Sequence, residues 1–334
     1  MAKKLKIGLI GCGGMMGYHA GQLLASKKAE VAALTDPNQK MLEGFVGRFP
    51  ALNGIPQFKD YREMLKKAEL DGVVISSPHT VHCEQIIGSL GRGLHVLCEK
   101  PMVCSVADAK KVIAKAKASG KILMTAYQRH FAPAYRLARK MIAKGDLGKI
   151  HTIAALQAQD WYRLTTGSWR QRPELSGGGQ LNDSGSHLVD IVLWMSDLAP
   201  AEAFAYEEFF KSKVDIDTAA VVKFKGGALA TFTVVGHSPG WWEDISIWGE
   251  EGVFYIRDGR LLHVSRDKQQ NWNAKREDLT DKLKYSNTPV GNFVDSILGK
   301  DVPQTPAECG LRVIQLTQAL WESAAAGKPV KVRT

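Results

Sequence analysis

The stretch IGLIGCGGMMGYHA, residues 7–20, decides the fold of this chain. A short apolar run ends at Gly11, and a helical pattern starts within a few residues. Glycines at positions 11 and 13 permit a tight turn and a close approach of the backbone to a pyrophosphate, which then faces the amino terminus of the helix. Asp36 ends the next predicted strand, where its carboxylate suits a ribose 2′-hydroxyl and favours NAD over NADP. We therefore interpret the stretch as a dinucleotide site rather than as a glycine-rich turn without a ligand.

The third glycine of the expected G-x-G-x-x-G pattern is displaced by one position. Met16 stands where that glycine belongs, and Gly17 follows it. A larger side chain at this point is expected to hold the helix slightly further from the strand than in the tightest examples of the turn.

Composition places the chain among ordinary globular proteins. It has 334 residues, of which 45% are hydrophobic and 23% charged, enough for two domains. No stretch approaches the ~20 apolar residues of a membrane span. The apolar run near the amino terminus is too short for a signal peptide and is broken by glycines. We therefore expect a cytoplasmic protein with no membrane partner. The five cysteines are scattered and form no C-x-x-C pair, so the sequence predicts neither disulfides nor a zinc knuckle.

The net charge of +10 raises nucleic acid as a partner, but the arrangement of the lysines argues against it. In the segment 108–121, Val112, Ile113 and Ala116 recur at helical spacing, so the lysines form its solvated face. We expect no nucleic-acid partner. Attraction of an anionic small substrate or cofactor is compatible with the charge.

The two halves of the chain have different hydrophobic patterns. Short apolar strands that alternate with amphipathic helices predict a parallel sheet covered on both faces. These strands are predicted at 5–10, 30–35, 71–77, 94–99 and 121–126. Later segments alternate over longer runs, with hairpin signals at Gly226-Gly227 and Asp258-Gly259, and predict a mostly antiparallel sheet with a few helices. They lie at 150–159, 218–227, 228–237 and 252–264. The fold class is therefore α/β, with domains at 1–125 and 126–334.

The stretch GLHVLCEKPM, residues 93–102, ends a buried strand in two charged residues, Glu99 and Lys100. Parallel sheets bind ligands at the carboxyl ends of their strands. An ammonium group there can hydrogen-bond a substrate hydroxyl and stabilise the alkoxide that precedes hydride loss, while Glu99 can hold the lysine or contact the cofactor. The alternative is a solvent-exposed loop after an edge strand.

A second strand end, at VVISSPHTVH (73–82), is expected to face the same ligand. The backbone of residues 77–79 is predicted to line the cofactor ribose, and His82 to face its own helix. A metal site at His79 and His82 is the weaker interpretation, because no third ligand of suitable type lies nearby.

The stretch SGGGQLNDSGSHLVDIVLW, residues 176–194, brings acids and an imidazole to the start of a helix. Asp183, His187 and Asp190 are spaced so that they share one helical face. A carboxylate beside an imidazole suits general base catalysis. A capped, buried helix with a structural histidine, or an Asp/His/Asp metal site, explains the same spacing, and the stretch alone leaves the three open.

Aromatic and arginine residues crowd the approach to that stretch. They are Trp161, Tyr162, Arg163, Trp169, Arg170 and Arg172, with Trp241 and Trp242 further along the chain. Exposed aromatic faces beside polar donors suit sugar rings, although some of these tryptophans are expected in the core or an interface. The arginines, with the basic balance, predict an anionic substrate such as a uronate or a sulfonated sugar.

Together these motifs resemble the family named for glucose–fructose oxidoreductase, inositol dehydrogenase and the rhizopine catabolism oxidoreductase, Gfo/Idh/MocA. The likeness covers nearly the whole chain and includes CEKP (98–101), AYQRHFAP (126–133), GDLGKI (145–150) and WRQRPELSGGGQLNDSGSHLVD (169–190). The resemblance implies a doubly wound Rossmann domain at the amino terminus and a carboxyl-terminal α/β domain on an open antiparallel sheet. It also implies a homodimer or homotetramer that assembles through that sheet.

The resemblance further implies that Lys100, Asp183 and His187 meet over the nicotinamide as the catalytic residues. His187 would be the proton acceptor, Lys100 would polarise the hydroxyl, and Asp183 would hold substrate and histidine. In some members the lysine has the acid/base role. The metal interpretation of residues 183–190 weakens, because the hydride chemistry of the family needs no metal, and none is predicted.

We expect an NAD-dependent oxidoreductase that acts on a secondary hydroxyl of a sugar, polyol or sugar derivative. Alternatives are a redox glycosidase, which oxidises its sugar transiently and eliminates the aglycone, and a non-catalytic dinucleotide sensor. The predicted cofactor-binding residues are Gly11, Gly13, Gly14, Met15, Met16, Asp36, Ser77, Pro78, His79, His82, Glu99 and Lys100. The predicted substrate-binding residues are Lys100, Arg129, Trp161, Arg163, Trp169, Arg170, Asp183 and His187.

Overall fold

The strands of this computed structural model form two sheets, and the structure describes residues 4–266 and 274–333. The strands are β1 (Leu5–Ile10), β2 (Ala29–Thr35), β3 (Gln57–Phe58), β4 (Gly72–Ile75), β5 (His95–Cys98), β6 (Leu123–Thr125), β7 (Ile150–Ala158), β8 (Pro200–Glu208), β9 (Asp217–Phe224), β10 (Leu229–Val235), β11 (Trp242–Gly249), β12 (Gly252–Arg257), β13 (Arg260–Arg266), β14 (Ala274–Asp278) and β15 (Val330–Lys331).

The part of the chain that the structure describes contains eleven α-helices. They are α1 (Gly14–Ala25), α2 (Gln39–Arg48), α3 (Tyr61–Lys67), α4 (His82–Gly91), α5 (Val106–Ser119), α6 (Pro133–Lys144), α7 (Trp161–Thr165), α8 (Pro173–Ser176), α9 (Gly185–Ser196), α10 (Pro289–Ile297) and α11 (Ala307–Ala326). Helix α5 is typical, because Ser105 caps its start by accepting from the Asp108 amide and Gly120 ends it in the left-handed region.

The chain divides into two units, each built from two segments. The first unit comprises Met1–Tyr127 and Asn287–Leu311, and the second comprises Gln128–Ser286 and Arg312–Thr334. The first division lies two residues beyond the predicted boundary at 125. The return of 287–311 to the first unit was not part of the prediction. It has a physical cause, because α10 packs against α1 and β5 and buries Phe293 in their hydrophobic cluster.

The first unit has a six-stranded parallel sheet in the order β3-β2-β1-β4-β5-β6. The prediction of a parallel, helix-covered sheet is confirmed. Strand β1 pairs with β2 on one side and with β4 on the other, so the strand order reverses there. Loops at the carboxyl ends of β1 and β4 therefore diverge, which is where open α/β sheets bind their ligands.

The second unit has a nine-stranded sheet in the order β14-β13-β12-β11-β7-β10-β9-β8-β15. Only the β7–β10 pair is parallel among the described neighbours. The hairpins predicted at Gly226-Gly227 and Asp258-Gly259 join β9 to β10 and β12 to β13, with the turn residues at positive φ. Helix α9 is buried along its whole length and packs against α6 and β7.

Within residues 4–266 and 274–333, no helix combines the length and the apolar character that a membrane span requires.

Candidate functional site

The glycine-rich loop follows β1 and leads into α1, as predicted. Gly11 has a φ of +87°, and a Cβ placed there would lie 2.7 Å from the Ser76 carbonyl oxygen, so the turn itself requires glycine. A Cβ on Gly13 or Gly14 would meet no atom within 4 Å. The protein's own packing therefore does not require glycine at these two positions. The open space over the first turn of α1 fits a pyrophosphate at the helix amino terminus.

The two methionines of the loop have different environments. Met15 is 39% exposed at the start of α1, whereas Met16 is fully buried in the hydrophobic cluster of the first unit. The prediction that Met16 contacts the cofactor is thus limited to its backbone, because its side chain packs inward beside Ala20 and Leu23. The apolar cluster accommodates the residue that replaces the third glycine.

Asp36 is fixed beside the glycine loop by two backbone amides. Its Oδ2 accepts from the amide of Cys12 at 2.9 Å, and its Oδ1 accepts from the amide of Asn38 at 2.9 Å. Burial, with the neighbouring Asp36 charge, raises the pKa of the Cys12 thiol to about 12, so that thiol is neutral at physiological pH. The carboxylate is thus held at the end of β2, where the dinucleotide interpretation places the ribose.

The loop after β4 is tied to the loop that carries Lys100. Ser77 Oγ donates to Gln85 Oε1 at 2.5 Å, and His79 is buried in a 3₁₀ turn before α4. His82 begins α4 and is fully buried, with Nε2 at 3.0 Å from the Ser77 carbonyl oxygen and Nδ1 at 3.0 Å from that of Pro101. Burial lowers the pKa of this imidazole. His82 thus bridges the ends of β4 and β5, and both its ring nitrogens face carbonyl oxygens.

Glu99 is buried at the end of β5 and makes two contacts. Its Oε1 lies 2.7 Å from Nε2 of His19 on α1, and its Oε2 accepts from the Lys100 amide at 3.0 Å. Burial opposes ionisation, but the hydrogen bond and charge of His19, together with Lys100, hold the pKa of this carboxyl below its usual value. Lys100 itself is half-buried. Glu99 therefore anchors the backbone of the predicted catalytic lysine to the helix of the glycine loop.

Asp183 lies two residues before α9 and is held by two side-chain donors. Its Oδ2 accepts from the indole Nε1 of Trp161 at 2.8 Å and from Nε of Arg170 at 3.0 Å. Asp183 is only 4% exposed, and Ser186 Oγ donates to its backbone carbonyl at 2.7 Å. His187 lies in the first turn of α9, is 8% exposed, and its amide donates to the Ser184 carbonyl at 3.1 Å. The structure thus fixes a buried carboxylate one helical turn before an imidazole.

The three glycines before Asp183 have separate structural causes. Gly177 ends α8 in the left-handed region, and a Cβ on Gly178 would lie 2.5 Å from the Trp321 ring. Gly179 lies against Asp215, a contact that the sequence did not indicate. The amides of Gly179 and Leu181 donate to its two carboxylate oxygens at 2.9 and 2.7 Å, and the indole of Trp321 is a further donor. A Cβ on Gly179 would lie 2.0 Å from the Asp215 carbonyl oxygen. Burial raises the pKa of Asp215, although the amides oppose this. The close approach to Asp215 therefore demands glycine.

Asp190 does not extend the Asp183–His187 arrangement. Its Oδ2 lies 2.7 Å from Nε2 of His130, both side chains are fully or almost fully buried, and the His130 ring lies 4.2 Å from the Trp194 ring. This contact gives Asp190 a structural role between α9 and the turn before α6. The Asp/His/Asp metal site that the spacing left open is thereby disfavoured, because one of its three ligands is already bound by an imidazole.

The predicted substrate-binding arginines lie in three different settings. Arg170 contacts Asp183 and stacks over the Trp169 ring, with its Cζ 4.6 Å from the ring centroid. Arg163 is largely exposed and donates to Asp160 at 2.6 Å, so its contact is within its own turn. Arg129 is 8% exposed, and its Nη2 donates to Gln157 at 2.9 Å and pairs with Glu243 at 2.5 Å. The structure therefore places Arg129 in a buried network rather than on an open surface.

The polar residues that connect this network to α9 were not predicted from the sequence. Gln157, fully buried on β7, accepts from Arg129 and donates through Nε2 to Ser184 Oγ at 2.8 Å. The signal available in the sequence was a glutamine at an inward position of β7, where the other buried residues are apolar. A buried amide needs partners, so it points to a network.

Comparison with known proteins identifies the family. The family described as "Oxidoreductase family, NAD-binding Rossmann fold" matches residues 5–127, and the "GFO/IDH/MocA C-terminal domain" matches residues 135–255. The chain belongs to the GFO/IDH/MocA oxidoreductase family. This membership confirms the predicted family and gives the first unit the NAD-binding Rossmann fold of the GFO/IDH/MocA proteins.

Two relatives and one solved structure show how far the likeness extends. The chain is 28% identical to the rhizopine catabolism protein MocA of Rhizobium meliloti over 202 residues, 59% of this chain and 59% of that protein. It is 25% identical to myo-inositol 2-dehydrogenase of Thermotoga maritima over 346 residues, 98% of each chain. Its fold matches WlbA dehydrogenase from Bordetella pertussis, solved with NADH and UDP-GlcNAcA, with a TM-score of 0.87, 23% identity, and coverage of 100% and 99%.

Proposed function

We propose that this GFO/IDH/MocA protein is a dehydrogenase that transfers hydride between a secondary hydroxyl of a sugar, polyol or sugar derivative and a nicotinamide cofactor. The observation that carries the proposal is the buried Asp183 carboxylate, held by Trp161 and Arg170 one helical turn before His187. A fixed carboxylate four residues before an imidazole suits the removal of a proton from a hydroxyl. The names of the relatives, which include a myo-inositol dehydrogenase, support a polyol or sugar as the substrate class.

The proposed catalytic roles follow the chemistry of each side chain. His187 accepts the hydroxyl proton, and Asp183 favours the charged imidazole that forms. Lys100 donates a hydrogen bond to the hydroxyl oxygen and stabilises negative charge that develops there. Glu99 holds the backbone of Lys100 in place. A nicotinamide, when bound, supplies the hydride acceptor or donor.

Gly13 and Gly14 leave the first turn of α1 uncovered and would hold the cofactor pyrophosphate. Asp36, fixed by two amides, would accept from the ribose hydroxyls. These features support NAD as a cofactor of this chain.

The contacts of the arginines weaken the prediction of an anionic substrate. Arg163, Arg170 and Arg172 each contact a carboxylate of the chain itself, at 2.6, 3.0 and 2.7 Å. An arginine that is already neutralised attracts an anion less strongly than a free one. A neutral polyol or sugar is therefore the substrate class that we propose.

A homodimer or homotetramer through the second sheet remains our proposal for assembly. One face of β8, β9 and β10 leaves large apolar side chains exposed, with Tyr206 at 69%, Val221 at 49% and Leu229 at 49%. Exposed apolar patches of this kind mark protein interfaces. Sedimentation of the wild type and of a Val221→Lys, Leu229→Lys variant tests the proposal. A monomeric wild type would contradict it.

Absorbance at the nicotinamide band, with NAD or NADP and a panel of substrates, tests the activity. The panel contains inositols, aldoses, anhydrosugars, matched uronates and a p-nitrophenyl glycoside. Reduction of the cofactor with a neutral member is expected, and a His187→Asn variant should lose it. Release of p-nitrophenol without net reduction would instead identify a redox glycosidase. No turnover with any member and no binding of NADH by calorimetry would overturn the proposal.

A further inference from the structure

The side chain of Arg48, the last residue of α2, lies against the glycine-rich loop. Its Nη2 is 3.5 Å from the Gly13 carbonyl oxygen. A Cβ on Gly17 would lie 2.3 Å from Nη2 and 2.7 Å from Cζ, so the guanidinium fills the space that glycine leaves on α1. The Phe45 and Phe49 rings support it, with centroids 5.2 and 5.0 Å from Cζ. The two aromatic rings and the absence of a side chain at Gly17 thus hold the guanidinium beside the glycine-rich loop.

This guanidinium differs from those of Arg163 and Arg170 because no carboxylate neutralises its charge. Among the residues that the structure describes, Arg48 has no carboxylate partner, whereas Arg170 pairs with Asp183 and Arg163 with Asp160. Arg48 is also exposed. An exposed cation without a carboxylate partner, held at a loop that binds a dinucleotide, is available to an anionic group of that ligand.

Arg48 lies close to the residues that hold Asp36. Its Nη2 faces the Gly13 carbonyl, and the preceding residue, Cys12, donates its amide to Asp36 Oδ2. Asp36 is the residue expected at the adenosine ribose. The guanidinium therefore contacts the residue next to the amide that holds Asp36, and an adenosine 2′-phosphate would add negative charge next to that carboxylate. A nearby cation offsets the repulsion between the two anions.

We propose that Arg48 binds a phosphate group of the dinucleotide, the adenosine 2′-phosphate in particular, so that the chain binds NADPH as well as NADH. The proposal rests on the dinucleotide-binding loop and not on the sugar substrate. Its failure is therefore distinguishable from failure of the proposed dehydrogenase activity.

The experiment measures the Kd of NADH and of NADPH by calorimetry, without any substrate. Arg48→Gln is expected to weaken NADPH binding about tenfold or more and NADH binding by less, since a hydrogen bond to a charged group is lost in the first case. Added salt should reduce the difference between wild type and variant, because the interaction is exposed. Arg62→Gln is the matched control, since this exposed arginine is already paired with Glu84.

A second variant, Gly17→Ala, tests whether the position of the guanidinium matters when its charge is kept. The methyl group of Gly17→Ala would occupy the space of Nη2, and alanine favours a helix interior, so the variant should fold. It is expected to weaken NADPH binding in the same direction as Arg48→Gln. An equal loss for both cofactors in Arg48→Gln would assign the guanidinium to the shared pyrophosphate and overturn the 2′-phosphate assignment. Unchanged Kd values for both cofactors would overturn the whole proposal.

Discussion

His19 Nε2 lies 2.7 Å from Glu99 Oε1, and both side chains are buried in the first unit. His19 belongs to α1, which begins at the glycine-rich loop, and Glu99 immediately precedes Lys100. Because Glu99 also accepts from the Lys100 amide, one carboxylate connects the helix of the cofactor loop to the backbone of the proposed catalytic lysine. A change in this pair is expected to affect stability and the placement of Lys100 together.

Glu99→Gln should destabilise the protein by about 2 kcal/mol at pH 7, because it removes a buried carboxylate that accepts hydrogen bonds from His19 and from the Lys100 amide. The folded pKa of Glu99 lies below its unfolded value, so its stabilising contribution is complete above the unfolded pKa. That contribution is lost as the pH falls through the folded pKa. The free energies of unfolding of wild type and variant, measured in urea, should therefore converge as the pH decreases below about 4.

A control for this pair is Glu63→Gln, since Glu63 forms an exposed ion pair with Lys67. We expect its free energy of unfolding to match that of the wild type at each pH. A constant difference between Glu99→Gln and wild type at all pH values would contradict the assigned ionisation.

His187→Asn and Lys100→Met should each lower kcat by about a hundredfold or more, because each removes a group that handles the hydroxyl proton or its charge. The Kd of NADH should change less than threefold in His187→Asn, since this residue is not among those expected to bind the cofactor. Stopped-flow absorbance and calorimetry provide the two measurements. A His187→Asn variant with unchanged kcat across pH 6–9 would exclude the histidine as the proton acceptor.

Gly14→Ala should fold as well as the wild type and yet bind NADH at least tenfold more weakly. The added methyl meets no atom of the protein within 4 Å, so folding is not obstructed, but it enters the space over α1 that fits a pyrophosphate. Gly21→Ala is the matched control, because it lies on the same helix and its Cβ also has open space. Thermal unfolding and calorimetry should separate the two variants, and equal NADH affinity in both would argue against a pyrophosphate at this turn.

Gly179→Ala should destabilise the second unit by at least about 2 kcal/mol, because its Cβ would lie 2.0 Å from the Asp215 carbonyl oxygen and the backbone must shift. Gly240→Ala, whose Cβ meets nothing within 4 Å, serves as its control. Asp215→Asn should act in the same direction as Gly179→Ala, since an amide nitrogen cannot accept from the Leu181 amide. Thermal unfolding that is unchanged in both variants would contradict the role assigned to Asp215.

The parts of the fold that depend on local pattern were predictable from the sequence. Apolar strands alternating with helices gave the parallel sheet, and glycine pairs or Asp-Gly located the hairpins at 226–227 and 258–259. The position of Asp36 at the end of β2 followed from the same local logic. Each of these features depends on a few neighbouring residues, so the spacing of residues in the sequence is enough to predict it.

Contacts between residues far apart in the chain were not predictable. The hydrogen bond from Trp161 to Asp183 joins residues 22 positions apart, and the hydrogen bond from the Leu181 amide to Asp215 joins residues 34 positions apart. Asp190 has suitable spacing for a site with Asp183, but its partner is His130, 60 residues earlier. Helical spacing shows which residues share a face, and it does not show which distant side chain packs against that face.

The segment 287–311 has a practical consequence for any attempt to study the halves of this protein separately. Val290, Phe293 and Val294 of α10 are buried in the same cluster as Ile7 and Leu97. A fragment truncated at residue 127 would expose that apolar surface to water and would tend to aggregate. An excised nucleotide-binding half should therefore carry residues 287–311 as well, joined through a flexible linker.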